Sequence, residues 1–282
     1  MTQPLWKPST ERIEESNLKA FIRFVQETFH PPGLADFQSL YRWSVEQPER
    51  FWESVWRFCD VKASRPSGSV VTDFDQMPGA RWFPDSRLNF AENLLRYRDD
   101  REALVFWNEK GRQSSLTYAE LYDQVARVAA SLRAMGLSSN ERVAAFMPNM
   151  PETVVAMLAA TSLGAAWSSC SPDFGLQGAL DRFGQTQPKI LFTADGYLYN
   201  GKTFDSLERV SQIAESIPSL ERVVVIPYTR PKPKLNGIPG AVRYEDLLTG
   251  TPSGEIDYQQ LPFDHPVYIL YSSGTTGPPK SI

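Results

Sequence analysis

Cysteine is nearly missing. Cys59 and Cys170 are the two in 282 residues, they lie far apart, and no second cysteine or histidine stands at metal-ligand spacing from either. A disulfide framework and a zinc-type cluster are excluded, and a reducing compartment, the cytosol, is the simpler setting. A strong charge of one sign is missing too. The 29 Lys and Arg and 33 Asp and Glu leave a net charge of -4 spread along the chain. There is thus no basic stripe for nucleic acid and no polybasic run for an anionic membrane. The N-terminus, MTQPLWKPSTERIEESN, lacks the charged-then-apolar layout of a signal peptide, and its acidic residues count against a mitochondrial presequence. No transmembrane segment is expected. The uncharged stretch from Thr153 to Pro172 is interrupted by Gly164 and by scattered Ser and Thr, and it divides into a buried helix followed by a buried strand. With 41% hydrophobic and 22% charged residues, the chain is a folded polypeptide long enough for one large or two modest domains. Its partner is expected to be a small molecule or another protein.

What is present divides near residue 100. The first hundred residues read as helical and aromatic, with Trp43, Trp52, Trp56 and Trp82 among Phe, Arg and Glu. Phe51, Val55 and Phe58 fall at helical spacing beside a second stripe of Trp52 and Trp56, a pattern that fills cores far more often than ligand boxes. This region is expected to form a helical N-terminal layer packed on a larger body. From about residue 102 apolar runs of strand length alternate with amphipathic helices. The predicted strands are 103–107, 142–146, 165–169, 189–193, 222–227 and 266–271. The predicted helices are 116–136, 151–163, 178–183 and 206–217, with Thr117 and Glu120 forming a capping box and Leu121, Val125, Val128, Leu132 and Met135 the buried face of the first. Residues 228–262, rich in Pro, Gly, Lys and Asp, read as a surface excursion with one short helix at 244–248. The fold expected is α/β: the helical N-terminal layer over residues 1–100, then through 101–282 an open, mostly parallel sheet covered by helices.

The last predicted strand runs into YSSGTTGPPK, residues 271–280. Phosphate groups need converging hydrogen-bond donors and positive charge. Ser272, Ser273, Thr275 and Thr276 supply hydroxyls, Gly274 and Gly277 let backbone amides approach closely, and Lys280 supplies the charge. The Walker pattern fails here: the glycines are three positions apart, and Pro278 and Pro279 remove two amides where that motif would begin a helix. A flexible Ser/Gly linker would account for SSG or TTG alone, but the preceding strand and the full string weigh against it.

YSSGTTGPPK resembles the phosphate-binding signature of the adenylate-forming superfamily, which includes acyl-CoA synthetases, luciferases and peptide-synthetase adenylation domains. Within it, WFPDSRLNFAENLL (82–95), GAAWSSCSPDFG (164–175) with its continuation LDRFGQTQPKILF, and YNGK (199–202) look like the acetoacetyl-CoA synthetase family. LYRWSVEQPERFWESVWRF (40–58) is similar to the N-terminal region shared by acetyl- and acetoacetyl-CoA synthetases. The resemblance implies activation of acetoacetate with Mg2+ and ATP to an acyl-adenylate and pyrophosphate, then transfer to coenzyme A. It also implies a place in cytosolic lipid and ketone-body metabolism. By motif match, Ser272, Ser273, Gly274, Thr275, Thr276, Gly277 and Lys280 would hold the β- and γ-phosphates, and 101–282 would be the first part of the AMP-binding domain. The family's later motifs carry the adenine and ribose contacts, most of the acyl pocket and a small C-terminal domain with its lysine. They are not found before Ile282. No catalytic residue is therefore assigned, and the chain alone is expected not to complete the reaction. A ligase for another short acyl acid and a noncatalytic chain remain as alternatives.

The other reactive residue types receive structural roles. Cys170, with no histidine near it in sequence, reads as a small buried hydrophobe. His30 and His265 each precede proline and read as turn positions. Asp173, Asp181 and Arg182 are expected to cap and pair, and no metal ligand is assigned. Trp167 fits a crevice wall or a packed core equally well.

Overall fold

A computed structural model describes residues 5–250, 254–272 and 277–282. The chain divides into two compact units, one of Met1–Arg87 with Pro262–Asp264 and one of Leu88–Leu261 with His265–Ile282.

The first unit is built on helices α1 (Thr10–Glu14), α2 (Asn17–Phe29), α3 (Phe37–Glu46) and α4 (Pro48–Phe58). Ser9, Ser16 and Asp36 accept the amide hydrogens of Arg12, Lys19 and Ser39 at the starts of the first three, and Pro48 begins α4, where no amide is needed. The core sets Phe21, Ile22, Val25 and Phe29 of α2 against Leu40 and Trp43 of α3, with Phe51 and Val55 of α4 packed on it. Phe58, the third member of the predicted α4 stripe, meets Phe21 edge-on at a centroid distance of 5.1 Å and stays 37% exposed. Two-residue strands β1 (Val71–Thr72) and β2 (Arg81–Trp82) pair antiparallel, and Trp82 contacts Trp52 edge to face. Strand β3 (Arg87–Leu88) carries the chain into the second unit.

The second unit opens with α5 (Phe90–Leu94), whose cap Asn89 is buried. The Asn89 side-chain amide reaches the carbonyls of Thr161, Ser162 and Gln259 at 2.9 to 3.1 Å. Strands β4 (Glu102–Asn108) and β5 (Gly111–Thr117) follow, then α6 (Tyr118–Ala134), β6 (Arg142–Phe146), α7 (Pro151–Ser162), β7 (Ala166–Cys170), α8 (Leu176–Thr186) and β8 (Ile190–Ala194). Next come β9 (Gly196–Tyr199), β10 (Lys202–Asp205), α9 (Leu207–Ser216), β11 (Arg222–Ile226), β12 (Ala241–Arg243) and α10 (Tyr244–Thr249). The final strands are β13 (Leu261–Pro262), β14 (Tyr268–Ile269), β15 (Tyr271–Ser272) and β16 (Lys280–Ser281). The predicted capping box is present: Thr117 Oγ1 accepts the Glu120 amide hydrogen, and the Glu120 carboxylate accepts that of Thr117.

Six strands form one sheet in the order β12-β11-β8-β6-β7-β14, every neighbouring pair parallel. Side chains alternate between its faces. Val143 and Ala145 of β6, Ile190 and Phe192 of β8, and Val224 and Ile226 of β11 pack beneath α6, α7 and α10. Ala144 and Phe146, Leu191, and Val223 and Val225 pack against α8 and α9. Burial on both faces is why these strands read as continuous apolar runs.

Three features depart from the sequence reading. The 103–107 run lies outside the parallel sheet: β4 pairs antiparallel with β5 as a hairpin, and its Val105 and Trp107 are 45% and 65% exposed. Antiparallel hairpins tolerate one wet face, so an apolar run there does not require burial on both sides. A second hairpin, β9 with β10, turns at Asn200-Gly201, whose φ angles of +49° and +71° suit the tight turn that Asn-Gly favours. Last, β12 adds a parallel edge strand within the stretch read as a surface excursion.

Candidate functional site

Adjacent strands β6 and β7 send the chain to opposite faces of the sheet: α7 packs with α6 on one, α8 with α9 on the other. The segments leaving their carboxyl ends therefore splay apart, and in open α/β sheets such a gap is where ligands bind. Here it is a cleft of about 630 Å3. Met147, Pro148 and Asn149 after β6 and Thr153 of α7 form one wall. Ser169, Cys170, Ser171 and Phe174 at the end of β7, Arg182 of α8, and Leu270 and Tyr271 after β14 complete it.

Arg182 is the charged side chain of that lining. Its guanidinium carbon stands 4.1 Å from the Phe174 ring centroid and 5.6 Å from that of Tyr271, and Nη1 donates to the Gly178 carbonyl at 2.7 Å. The aromatic faces hold the cation in place at the cleft wall, where it is suited to an anionic ligand group. The Tyr271 hydroxyl lies 2.6 Å from Ser168 Oγ, and Ser168 is buried. Burial pushes the Tyr271 phenol up from its ordinary value, with the Ser168 and Thr186 hydroxyls opposing in part, so it stays protonated near neutrality. Cys170 is buried, and burial pushes its thiol up to about 12, Arg182 pulling the other way. A thiol of that acidity supplies almost no thiolate, in keeping with the structural role read from the sequence.

The strands that flank the predicted phosphate loop start at the cleft lining, at Tyr271. Strands β15 and β16 pair antiparallel, with Tyr271 opposite Ser281 and Ser272 opposite Lys280. Leu270 and Ile282 exchange backbone hydrogen bonds of 3.1 and 2.8 Å just outside them. Gln185 of α8 donates to the Pro279 carbonyl at 2.8 Å and accepts from Ser281 Oγ at 3.2 Å. Of the seven residues expected to hold phosphate, Ser272 and Lys280 thus face each other across the base of the hairpin. Gly277 takes a φ of +88°, which a side chain would disfavour. Ser273, Gly274, Thr275 and Thr276 lie outside the described residues.

Sequence reasoning did not find the return strand, nor Tyr271, Ser168 and Gln185 as its supports. The Ser168–Tyr271 and Gln185–Pro279 pairs join residues about a hundred positions apart, and no local pattern announces them. Arg182 departs from its reading, since it meets aromatic rings and the Gly178 carbonyl where a carboxylate partner was expected. Trp167 is buried, with Phe192 at a centroid distance of 6.4 Å. His30 ends α2 in a left-handed conformation, and His265 Nε2 donates to the Gly164 carbonyl at 2.7 Å. Asp181 accepts from Gln177 at 2.7 Å.

A doubly covered parallel sheet with a crevice at splayed strand ends defines an α/β protein of the open-sheet class. The family is given by comparison: residues 90–282, more than half of the chain, match the AMP-binding enzyme family, to which this chain belongs. Residues 37–94 match the acetyl-coenzyme A synthetase N-terminus family. The chain is 45% identical over 281 residues to the acetoacetyl-coenzyme A synthetase of Rhizobium meliloti (strain 1021), covering 99% of this chain and 43% of that protein. It is 35% identical over 293 residues to the malonamoyl-CoA synthetase vrtB of Penicillium aethiopicum, covering 99% of this chain and 40% of that protein. The solved structure of acetoacetyl-CoA synthetase from Streptomyces lividans superposes with a TM-score of 0.91 at 41% identity, over 100% of this chain and 43% of that one. The chain therefore spans less than half the length of the curated relatives it matches.

Proposed function

We propose that the chain carries the ATP-phosphate end of the site of an acetoacetate:CoA ligase. In the reaction a carboxylate oxygen of acetoacetate attacks the α-phosphorus of ATP and pyrophosphate leaves. The thiol of coenzyme A then displaces AMP from the acyl-adenylate, giving acetoacetyl-CoA and releasing the thiol proton. The first step brings two anions together while a third departs, so its barrier falls when aimed donors and cations neutralise the phosphates. The observation that carries the reading is the hairpin at the cleft rim, with the Ser272 and Lys280 backbones paired at its base and Arg182 in the adjoining wall. Ser272, Ser273, Gly274, Thr275, Thr276, Gly277 and Lys280 would hold the β- and γ-phosphates. Mg2+ enters as the partner of those phosphates. Among the described residues, no group of three His, Cys, Asp or Glu side chains gathers to hold an ion of its own.

Acetoacetate and malonamate, the acids corresponding to the two relatives' names, share a carbonyl two carbons from the carboxyl. The proposed substrate class is thus the short 3-oxo acid, and with acetoacetate it places the enzyme in cytosolic lipid and ketone-body metabolism. Calorimetric titration of the 282-residue chain with Mg-ATP should give a binding isotherm that Lys280→Ala weakens at least tenfold. Identical titrations for the two proteins would remove the phosphate-site assignment. Acyl choice is read in a polypeptide of the relatives' full length. Acetate or propionate turning over with the kcat/KM of acetoacetate would overturn the 3-oxo reading.

A further inference from the structure

The hairpin that presents the loop is weakly tied to the sheet by its backbone. Strand β14 is two residues long, and its ladder with β7 ends where Ile269 stands opposite Ser168. Beyond that register the chain leaves the sheet, and Leu270 is 64% exposed. Two residues past the last rung, the Tyr271 side chain returns to the same Ser168, with its hydroxyl 2.6 Å from Oγ. Ser168 is 1% exposed and sits in the middle of β7, between β6 and β14, so it is among the least movable points of the fold. The ring of Tyr271 is covered from α8 by Arg182, and Gln185 of the same helix holds Pro279 and Ser281 on the returning side. One end of the loop is therefore anchored to β7 by a hydroxyl pair, the other to α8 by an amide.

We infer that Tyr271, acting through Ser168, is a positioning residue that fixes the base of the phosphate-binding hairpin relative to the cleft. This rests on the reading that the loop holds ATP phosphates. Converging donors bind a polyanion well only when their directions are set beforehand, because each ångström of play is entropy lost on binding. The phenol suits this role because it stays protonated, so the pair keeps a proton to share, and because its ring is rigid between β7 and α8. Tyr271→Phe would keep the ring and remove the tie to Ser168, together with the hydroxyl's interaction with Thr186.

The test uses the 282-residue chain and compares Tyr271→Phe, Ser168→Ala and the double variant by Mg-ATP calorimetry, thermal melting and amide hydrogen exchange. The expected result is a Mg-ATP Kd about tenfold weaker in each single variant and, in the double, no weaker than in Tyr271→Phe, because that change already removes the bond to Ser168. Exchange at the hairpin-bonded amides of 270, 272, 280 and 282 should quicken about tenfold, while those of β6 and β8 are unchanged and the melting temperature moves little. Additive losses in the double variant would overturn the shared bond. Unchanged exchange at the hairpin amides would overturn the positioning role whatever the nucleotide data show. Should the wild-type chain fail to bind Mg-ATP while the variants still loosen the hairpin, the anchor stands. The phosphate reading above would then be the one that falls.

Discussion

Glu152 occupies the first turn of α7 with one carboxylate oxygen sealed from solvent and no hydrogen-bond partner among the described residues, and the buried Tyr244 hydroxyl likewise has none among them. Burial pushes the Glu152 carboxyl above its ordinary 4.5. A carboxyl raised in the folded state binds its proton more tightly there than in the unfolded chain. It favours folding at low pH, and that contribution is lost as pH rises through the folded value. Glu152→Gln removes the titration. Its melting temperature relative to wild type should therefore climb between pH 4 and pH 8, and a constant difference across that range would contradict the assignment. Nothing in MPETVV marks Glu152 as half-buried, since a glutamate after proline is a common helix start exposed to water. The unusual backbone conformation of Gly277, by contrast, was legible from residue type. Arg182 was read as a partner for carboxylates, but its cation–π contacts with Phe174 and Tyr271 depend on folding, which no spacing rule reveals.

At the scale of elements, the strands buried on both faces and the helices between them were legible because burial writes itself as apolar runs and helical periodicity. Caps were legible as well. Thr117→Ala removes the hydroxyl that accepts the Glu120 amide hydrogen and should cost about 1 kcal/mol, read as a shift in urea midpoint at constant m-value. A loss below about 0.3 kcal/mol would mean that water replaces the cap without penalty. The two hairpins were not read. ALVFW imitates a buried strand although its alternate residues face solvent, and the Asn200-Gly201 signal lay inside a stretch read for resemblance instead of turn chemistry. Carboxylate oxygens of Glu109, from the turn of the first hairpin, accept the amide hydrogens of Asn200 and Gly201 at 2.5 and 2.7 Å. The tips of the two hairpins are therefore clipped together, a contact between residues about ninety apart.

For the whole molecule, the fold class was legible, whereas the way distant segments close on one another was not. Asn89 is the sharpest instance. It is the N-cap of α5, accepting the Glu92 amide hydrogen at 3.2 Å. Its side-chain amide also joins the end of α7 to the strand-free segment at Gln259, 170 positions later. Such a junction has a place in time as well as in space. Three segments must already be assembled before this one amide finds its carbonyls, and since loop-closure entropy precedes the reward of so distant a contact, the junction is expected to form late on the folding path. Asn89→Ala should accordingly leave the refolding limb of a chevron plot nearly where it is and raise the unfolding rate roughly tenfold or more. The residue would act as a latch on the lifetime of the native state, with little say in how quickly that state is reached.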